Sequence, residues 1–317
     1  ASTIIDLGGE GTFITLKSGE SLDSWLVGFT VCNGNVLTGG MAVTVDQAGL
    51  DIRDCVFRDN TAQAVNNSYV YNCSTVYVNK SPVKIANTRF INNRILNSVN
   101  MGGMGGGTAG ALSLNSAKID IVGCEFRGNS ASASGAMSVS GALVNVTNSR
   151  FSANMSTSSG AVCNVSYGYG PTGGTNGLVT FTNCIMTDNV STGDYSDFYV
   201  GYNSRINLIQ VTDIGGRAKK GAAQVYGTLS LLNTVLPGVV TVEKDAVFSA
   251  NTSCSSSDWN AYGAGNITAD PLVTATGYLR KGSPCIDAGG NTGIPALDID
   301  GVARPAGAAA DIGAQEF

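Results

Sequence analysis

Apolar and polar positions alternate along this chain in short bursts, and the bursts recur. In Leu143–Thr147, Val144 and Val146 alternate with Asn145 and Thr147, the two-residue period of a half-buried strand. Ser149 and Phe151 alternate on the opposite parity. The chain must therefore bend near Asn148 if both short strands are to keep their apolar side inward. The segment GALSLNSAKIDIVGCEFRGN (110–129) aligns without a gap on GAMSVSGALVNVTNSRFSAN (135–154). Copies of the strand–bend–strand unit begin at residues 24, 50, 83, 119, 144, 179, 206 and 229. Their steps cluster at 23–27 residues, with three longer ones of 33, 36 and 35, which reads as a coil of about 25 residues carrying three insertions.

The bend position is occupied by Asp54, Asn87, Gly123, Asn148, Asn183, Gln210 and Asn233, mostly types that tolerate a left-handed backbone. A second turn follows at Asn60, Asn93, Asn129, Asn154 and Asn189, whose amides can hydrogen-bond along a stack. One such coil cannot enclose a core; copies stacked about 4.8 Å apart can, with every backbone group paired to the next layer. Phe57, Phe90, Phe126 and Phe151 then form an interior column, continued by Met186 and Leu236. The pattern predicts an all-β, right-handed parallel β-helix over residues 1–250, its hand taken from the crossover rule for parallel strands. An atypical first coil spans Ser2–Leu22, and residues 251–317 form an irregular C-terminal capping region.

The F-x-x-N units Phe57–Asn60, Phe90–Asn93, Phe126–Asn129 and Phe151–Asn154 are preceded by Gly39-Gly40-Met41-Ala42, Gly110-Ala111, Gly135-Ala136 and Gly160-Ala161. Together they resemble the chlamydial polymorphic outer-membrane protein repeat of the pectin-lyase-like β-helix superfamily. The tail carries Asp270-Pro271-Leu272, Gly282–Gly289, Asp298–Gly301, Arg304-Pro305 and Asp311–Ala314, and is similar to the C-terminal region of choice-of-anchor Q surface proteins. The resemblance implies a bacterial-type, extracytoplasmic location, secreted or at the cell surface. It leaves function open, because adhesins, lyases and hydrolases share the scaffold.

Composition narrows the chemistry. Eighteen Lys and Arg against 23 Asp and Glu leave no basic surface to follow a phosphate backbone, which argues against nucleic acid as partner. The absence of histidine excludes Ser-His-Asp and Cys-His catalysis and His-ligated zinc. No apolar run approaches a membrane span, and no leader pattern opens the chain, so Ala1 reads as a processed mature end. The eight cysteines form no C-x-x-C pair. Cys55, Cys124 and Cys184 share one column in alternate layers, too far apart to bridge, and are expected as buried free thiols. Cys254 and Cys285 could bridge within the tail; Cys32, Cys73 and Cys163 have no assignable partner. The Asn-x-Ser/Thr sequons are what an Asn-rich chain produces by chance.

Function on a solenoid sits on outer faces and insertions. The insertions 65–78, with Tyr69, Tyr71 and Tyr77, 97–108, rich in Gly and Met, and 165–176, with Tyr167 and Tyr169, are the first candidates. The stretch Ser191–Arg205 adds Asp194, Tyr195, Asp197, Phe198, Tyr199, Tyr202 and Arg205. Tyrosines beside carboxylates and amides suit sugars, which stack on rings and hydrogen-bond through hydroxyls. Tyr167, Tyr169, Tyr195, Tyr199 and Tyr202 are therefore the expected ligand-binding residues; alternatively, some turn inward and cap the core. The leading expectation is an adhesin-like binding and structural module contacting glycans or another surface component, with self-association or a larger surface assembly open to it. The alternative is a polysaccharide lyase or glycoside hydrolase, with Asp194, Asp197 and Arg205 as catalytic candidates and calcium as a cofactor if a lyase. Asp188, Arg217, Lys219 and Lys220 flank that set, and Asp51, Asp54 and Asp59 with Arg53 and Arg58 form another charged coil. No metal site is assigned; Asp298 and Asp300 lack the later acidic ligand of a calcium loop and read as a turn.

Overall fold

A computed structural model describes residues 3–63, 70, 72–96, 108–158, 160–170 and 173–317, with side chains except those of Tyr169 and its neighbours at the hairpin tip. Among them the chain is almost entirely strand and turn, with one short 3-10 segment at Asn260–Tyr262. The coil from Met137 shows the repeating unit. Met137–Ser140 joins a nine-stranded parallel sheet; Leu143–Thr147 and Arg150–Ser152 both join a fifteen-stranded sheet; Met155–Ser156 joins a five-stranded one. The central coils thus add a layer to each of three sheets of a parallel β-helix, and the coils toward either end to two of them.

The bends form where the residue types demanded them. Asp54, Asn87, Gly123, Asn148, Asn183, Gln210 and Asn233 all have φ between 48° and 65°. Asx and Gly reach this left-handed region at low cost; Gln210 does so without such help, held by the ladders on either side. Register between layers is conserved: Phe90 pairs with Phe57 and Phe126, and Phe126 with Phe151. The four rings are fully buried, with centroids 5.2, 5.0 and 4.6 Å apart and the last two pairs nearly parallel. Each buried ring contributes about 1.5–3 kcal/mol through burial alone. Met186 and Leu236 extend this column as expected, but Asp213 lies between them, level with Met186 on one side and one residue beyond the Thr212–Val235 bridge on the other.

Asn60, Asn93, Asn129, Asn154 and Asn189 are all fully buried and form a directional ladder. The side-chain amide of each of the first four donates to the Oδ1 of the next at 2.8–3.0 Å. The same Oδ1 accepts the backbone N–H of the preceding Asn at 3.0–3.3 Å. Each of these four amides thus points one N–H toward the C-terminal layers, while its nitrogen also donates to a backbone carbonyl of the layer before.

Cys55, Cys124 and Cys184 are buried and unbridged, as are the other five cysteines. Burial pushes the Cys184 thiol up to about 12 and the Cys124 thiol up to about 11, so they behave as small apolar groups. Strand pairing continues through Cys254–Ser255 and Ile267–Thr268 before the irregular tail begins. The tail lies along the fifteen-stranded sheet: Arg304 reaches Asn183, Ala314 donates to Thr212, and Gly313 donates to Asn233. Asp298 accepts the N–H groups of Asp300, Val302 and Glu316, which makes DIDG a structural turn. No helix among the described residues is long and apolar enough to cross a membrane.

Candidate functional site

Tyr199 is level with Gln224 in the next layer of the nine-stranded sheet; Tyr226 stands just beyond the end of that pairing, and Tyr202 lies at the corner after Val200. Their rings form a ledge: Tyr226 lies 5.8 Å from Tyr199 and 4.9 Å from Tyr202, centroid to centroid. Tyr202 is 63 % exposed, an open aromatic face that the fold does not cover. Gln224 donates to both the Tyr226 hydroxyl and Glu243 at 2.9 Å, which fixes the middle ring. Burial pushes the Tyr199 and Tyr226 hydroxyls up, with nearby Tyr and Glu243 charges adding to it.

Beside the ledge runs a groove of about 530 Å³, lined by Tyr202, Tyr226, Asn176, Asn203, Arg205 and Asp245 among others. Its floor follows one column, Leu143, Leu178, Arg205, Thr228 and Val247, which the register places in five consecutive layers. At about 4.8 Å per layer this column is about 19 Å long. Leu143 and Val247 are half exposed, and Arg205 takes part in none of the ion pairs among the described residues.

The other expected residues scatter. Tyr195 is only 2 % exposed and packs inward, so its ring is not on offer to a surface ligand. Tyr167 is half-buried, and Tyr169 lies in the Gly168–Gly170 hairpin strand with its side chain outside the described residues. Tyr69, Tyr71 and most of the Gly/Met insertion (97–107) also lie outside them; Tyr77 is half-buried. Asp194 is an exposed partner of Lys220 at 2.8 Å. Asp197 lines a different cleft from Arg205, so Asp194, Asp197 and Arg205 do not converge on one reacting centre. Asp51, itself buried, pairs with the exposed Arg53, and Arg58 pairs with Asp59 on the surface. No group of three or more Cys, Asp or Glu side chains among the described residues is placed to hold a metal ion.

That second cleft, about 640 Å³, is lined by Asp197, Asp213, Gly216, Arg217, Lys219 and Lys220 among others. Asp197 stands level with Val162, an apolar interior position, and is 1 % exposed. Burial pushes its carboxyl up to about 7 against the opposing hydrogen bonds of Ser196 and Asn189. Asp213, 2 % exposed, is raised well above the carboxylate range by burial and by the charge of Asp197. Asp197 ends the asparagine ladder. The Val190–Arg217 bridge sets Gly216 level with Asn189, where a sixth Asn would stand, and a Cβ on Gly216 would come 2.4 Å from Asp197 Oδ2.

Tyr226 and Asp213 are functional candidates that reading by local stretches passed over. Asp213 was in phase with the repeat, an acid where the preceding copies carry Phe151 and Met186, whereas Tyr226 is two residues out of phase with Tyr199 and carried no such signal. No protein-family model matches the chain, and no curated protein is significantly similar to it.

Proposed function

We propose that this protein is a saccharide-binding module of the bacterial cell surface or secreted space, adhesin-like, with its ligand seated on the Tyr199–Tyr226–Tyr202 ledge and in the adjoining groove. One observation carries the reading: an aromatic ring 63 % exposed and packed at a tilt against a second, beside an axial groove with an arginine in its floor that joins no ion pair among the described residues. Exposed tyrosines present flat apolar faces to pyranose rings, while Asn203, Asn176 and Asp245 offer hydroxyl partners. A groove about 19 Å long accommodates a linear chain of several sugar units. Arg205 selects ligands bearing a carboxylate or sulfate, which it can engage bidentately. The resemblance of the repeats and tail to surface β-helix proteins supports the location.

The test is binding of neutral and acidic oligosaccharides to the wild type, Tyr202→Ala, Tyr226→Ala and Arg205→Ala. Each tyrosine variant should lose about tenfold or more in affinity, and Arg205→Ala should lose preference for acidic chains. No binding by the wild type, or binding unchanged by both tyrosine substitutions, removes the proposal.

A second reading, cleavage of such a polymer, is favoured by the raised carboxyls beside Arg217, Lys219 and Lys220, since an acid protonated near neutrality is what glycosidic proton transfer needs. It requires new reducing ends or unsaturated products from the polysaccharide panel, lost in Asp197→Asn. Binding without products leaves the first reading alone.

A further inference from the structure

We infer that Asp197 and Asp213 form a buried proton-binding site, in which one proton bridges Asp197 Oδ1 and Asp213 Oδ2 and holds the last full layer of the asparagine ladder closed. The inference is independent of the saccharide reading.

Three observations meet at this point. First, two carboxyl groups occupy interior positions that apolar residues fill in neighbouring layers: Asp213 lies between Met186 and Leu236, and Asp197 is level with Val162. Second, among the described residues Asp197 Oδ1 and Asp213 Oδ2 are buried oxygens without a hydrogen-bond donor. An unpaired buried carboxylate oxygen is costly, and two side by side cannot both be ionised. A carboxylic acid donating to a carboxylate supplies the missing donor to both oxygens at once. Third, the remaining Asp197 interactions already come from donors: Ser196 Oγ bonds Oδ2, and the Asn189 amide reaches the same carboxyl. Four ladder amides each direct one N–H up the stack toward the layer of Asp197, which favours residual negative charge there and leaves Asp213 as the proton's home.

The basic side chains nearby do not replace this proton. Lys220 is paired with Asp194 on the surface, while Arg217 and Lys219 line the cleft without an ion pair to either acid. On the other side, a Cβ at Gly215 would meet Asp188 Oδ1 at 2.7 Å, so the charged group against that part of the strip is another carboxylate. Gly216 lies directly over Asp197 Oδ2, and the strip 215–221 is therefore the part of the fold that a second negative charge beneath it would push outward.

The direction with pH follows from a folded-state affinity for protons above that of the unfolded chain. The stabilising contribution is complete below the ordinary aspartate value of 3.8 and is lost as pH rises toward about 7, with a further loss above it from Asp213.

The experiment compares thermal unfolding between about pH 4 and pH 8 for the wild type, Asp213→Asn and Asp213→Leu, with carboxyl titration followed by carbon NMR of labelled aspartate. Asparagine places a permanent donor where the protonated acid stands; leucine restores the apolar column. The wild type should lose roughly 5 °C or more across this range and one carboxyl should titrate near neutrality; Asp213→Leu, which withdraws the donor from Asp197 Oδ1, should move that titration upward, whereas Asp213→Asn, which keeps a donor there, should leave it near the wild-type position. Wild-type stability that is flat or rises with pH, or aspartates that all titrate in the ordinary range, overturns the site. The same titration midpoint in Asp213→Leu as in the wild type overturns the bridge. The wild-type titration decides without any substitution.

Discussion

Removing one middle rung of the asparagine ladder tests the stacking physics most directly. In Asn129→Ala the Oδ1 that accepts both the backbone N–H and the side-chain amide of Asn93 disappears, as does the amide that donates to Asn154 Oδ1 at 3.0 Å and to the Phe90 carbonyl at 2.9 Å. Asn93 keeps its bond to the Phe57 carbonyl, and Asn154 Oδ1 keeps the Asn129 backbone N–H. The Asn93 backbone N–H is left buried without its acceptor, at a cost of about 1–3 kcal/mol. The two severed amide–amide bonds add about 1 kcal/mol each, and the space vacated in a dry interior adds to that. The sum is about 3–5 kcal/mol, measurable by guanidinium unfolding. Asn145→Ala is the control, because its amide bridges to Asp120 at 3.0 Å on the exposed face and should cost less than about 0.5 kcal/mol. A double-mutant cycle between Asn129 and Asn154 should show coupling of about 1 kcal/mol or more. A loss under about 1 kcal/mol for Asn129→Ala, or strict additivity in the cycle, would mean that the ladder is a by-product of the coil and not a support of it.

Further outcomes follow from other contacts. Gly216→Ala places a methyl 2.4 Å from Asp197 Oδ2 and 2.7 Å from Ser196 Oγ, and should lower stability by about 1–3 kcal/mol in the same unfolding assay. Glu316→Gln leaves the Arg304 guanidinium buried beside a neutral partner, since both side chains are essentially inaccessible, and should cost about 3–5 kcal/mol and expose the tail to limited proteolysis before the solenoid. Cys254 and Cys285 are both buried in the apolar cluster that joins the last layers to the tail. Incubation during refolding with oxidised glutathione, which accepts the two electrons and two protons, should therefore bridge this pair and leave six thiols that react with a maleimide only after unfolding. That bridge should add about 3–4 kcal/mol; eight reactive thiols after oxidation would refute it.

The sequence alone determined the solenoid, because its information is one-dimensional and repeated. A change of parity at Asn148, a left-handed-tolerant residue at each bend and a Phe two positions after the Cys/Ser/Thr column each have one structural meaning once the 25-residue step is seen. The predicted Phe column, the asparagine ladder and the free thiols of Cys55, Cys124 and Cys184 follow from stacking identical positions about 4.8 Å apart. Tertiary structure alone decided which side chains meet across layers outside those columns. Tyr199, Tyr202 and Tyr226 form a ledge because a corner turns Tyr202 back toward the next layer, whereas Tyr195, equally conspicuous in the chain, points inward. Asp197 and Arg205, eight residues apart, line different clefts because the coil carries them around a corner from one sheet to another. Proximity along the strand direction is short-ranged and readable from spacing; proximity between layers depends on where insertions and corners fall, and only the folded backbone sets that.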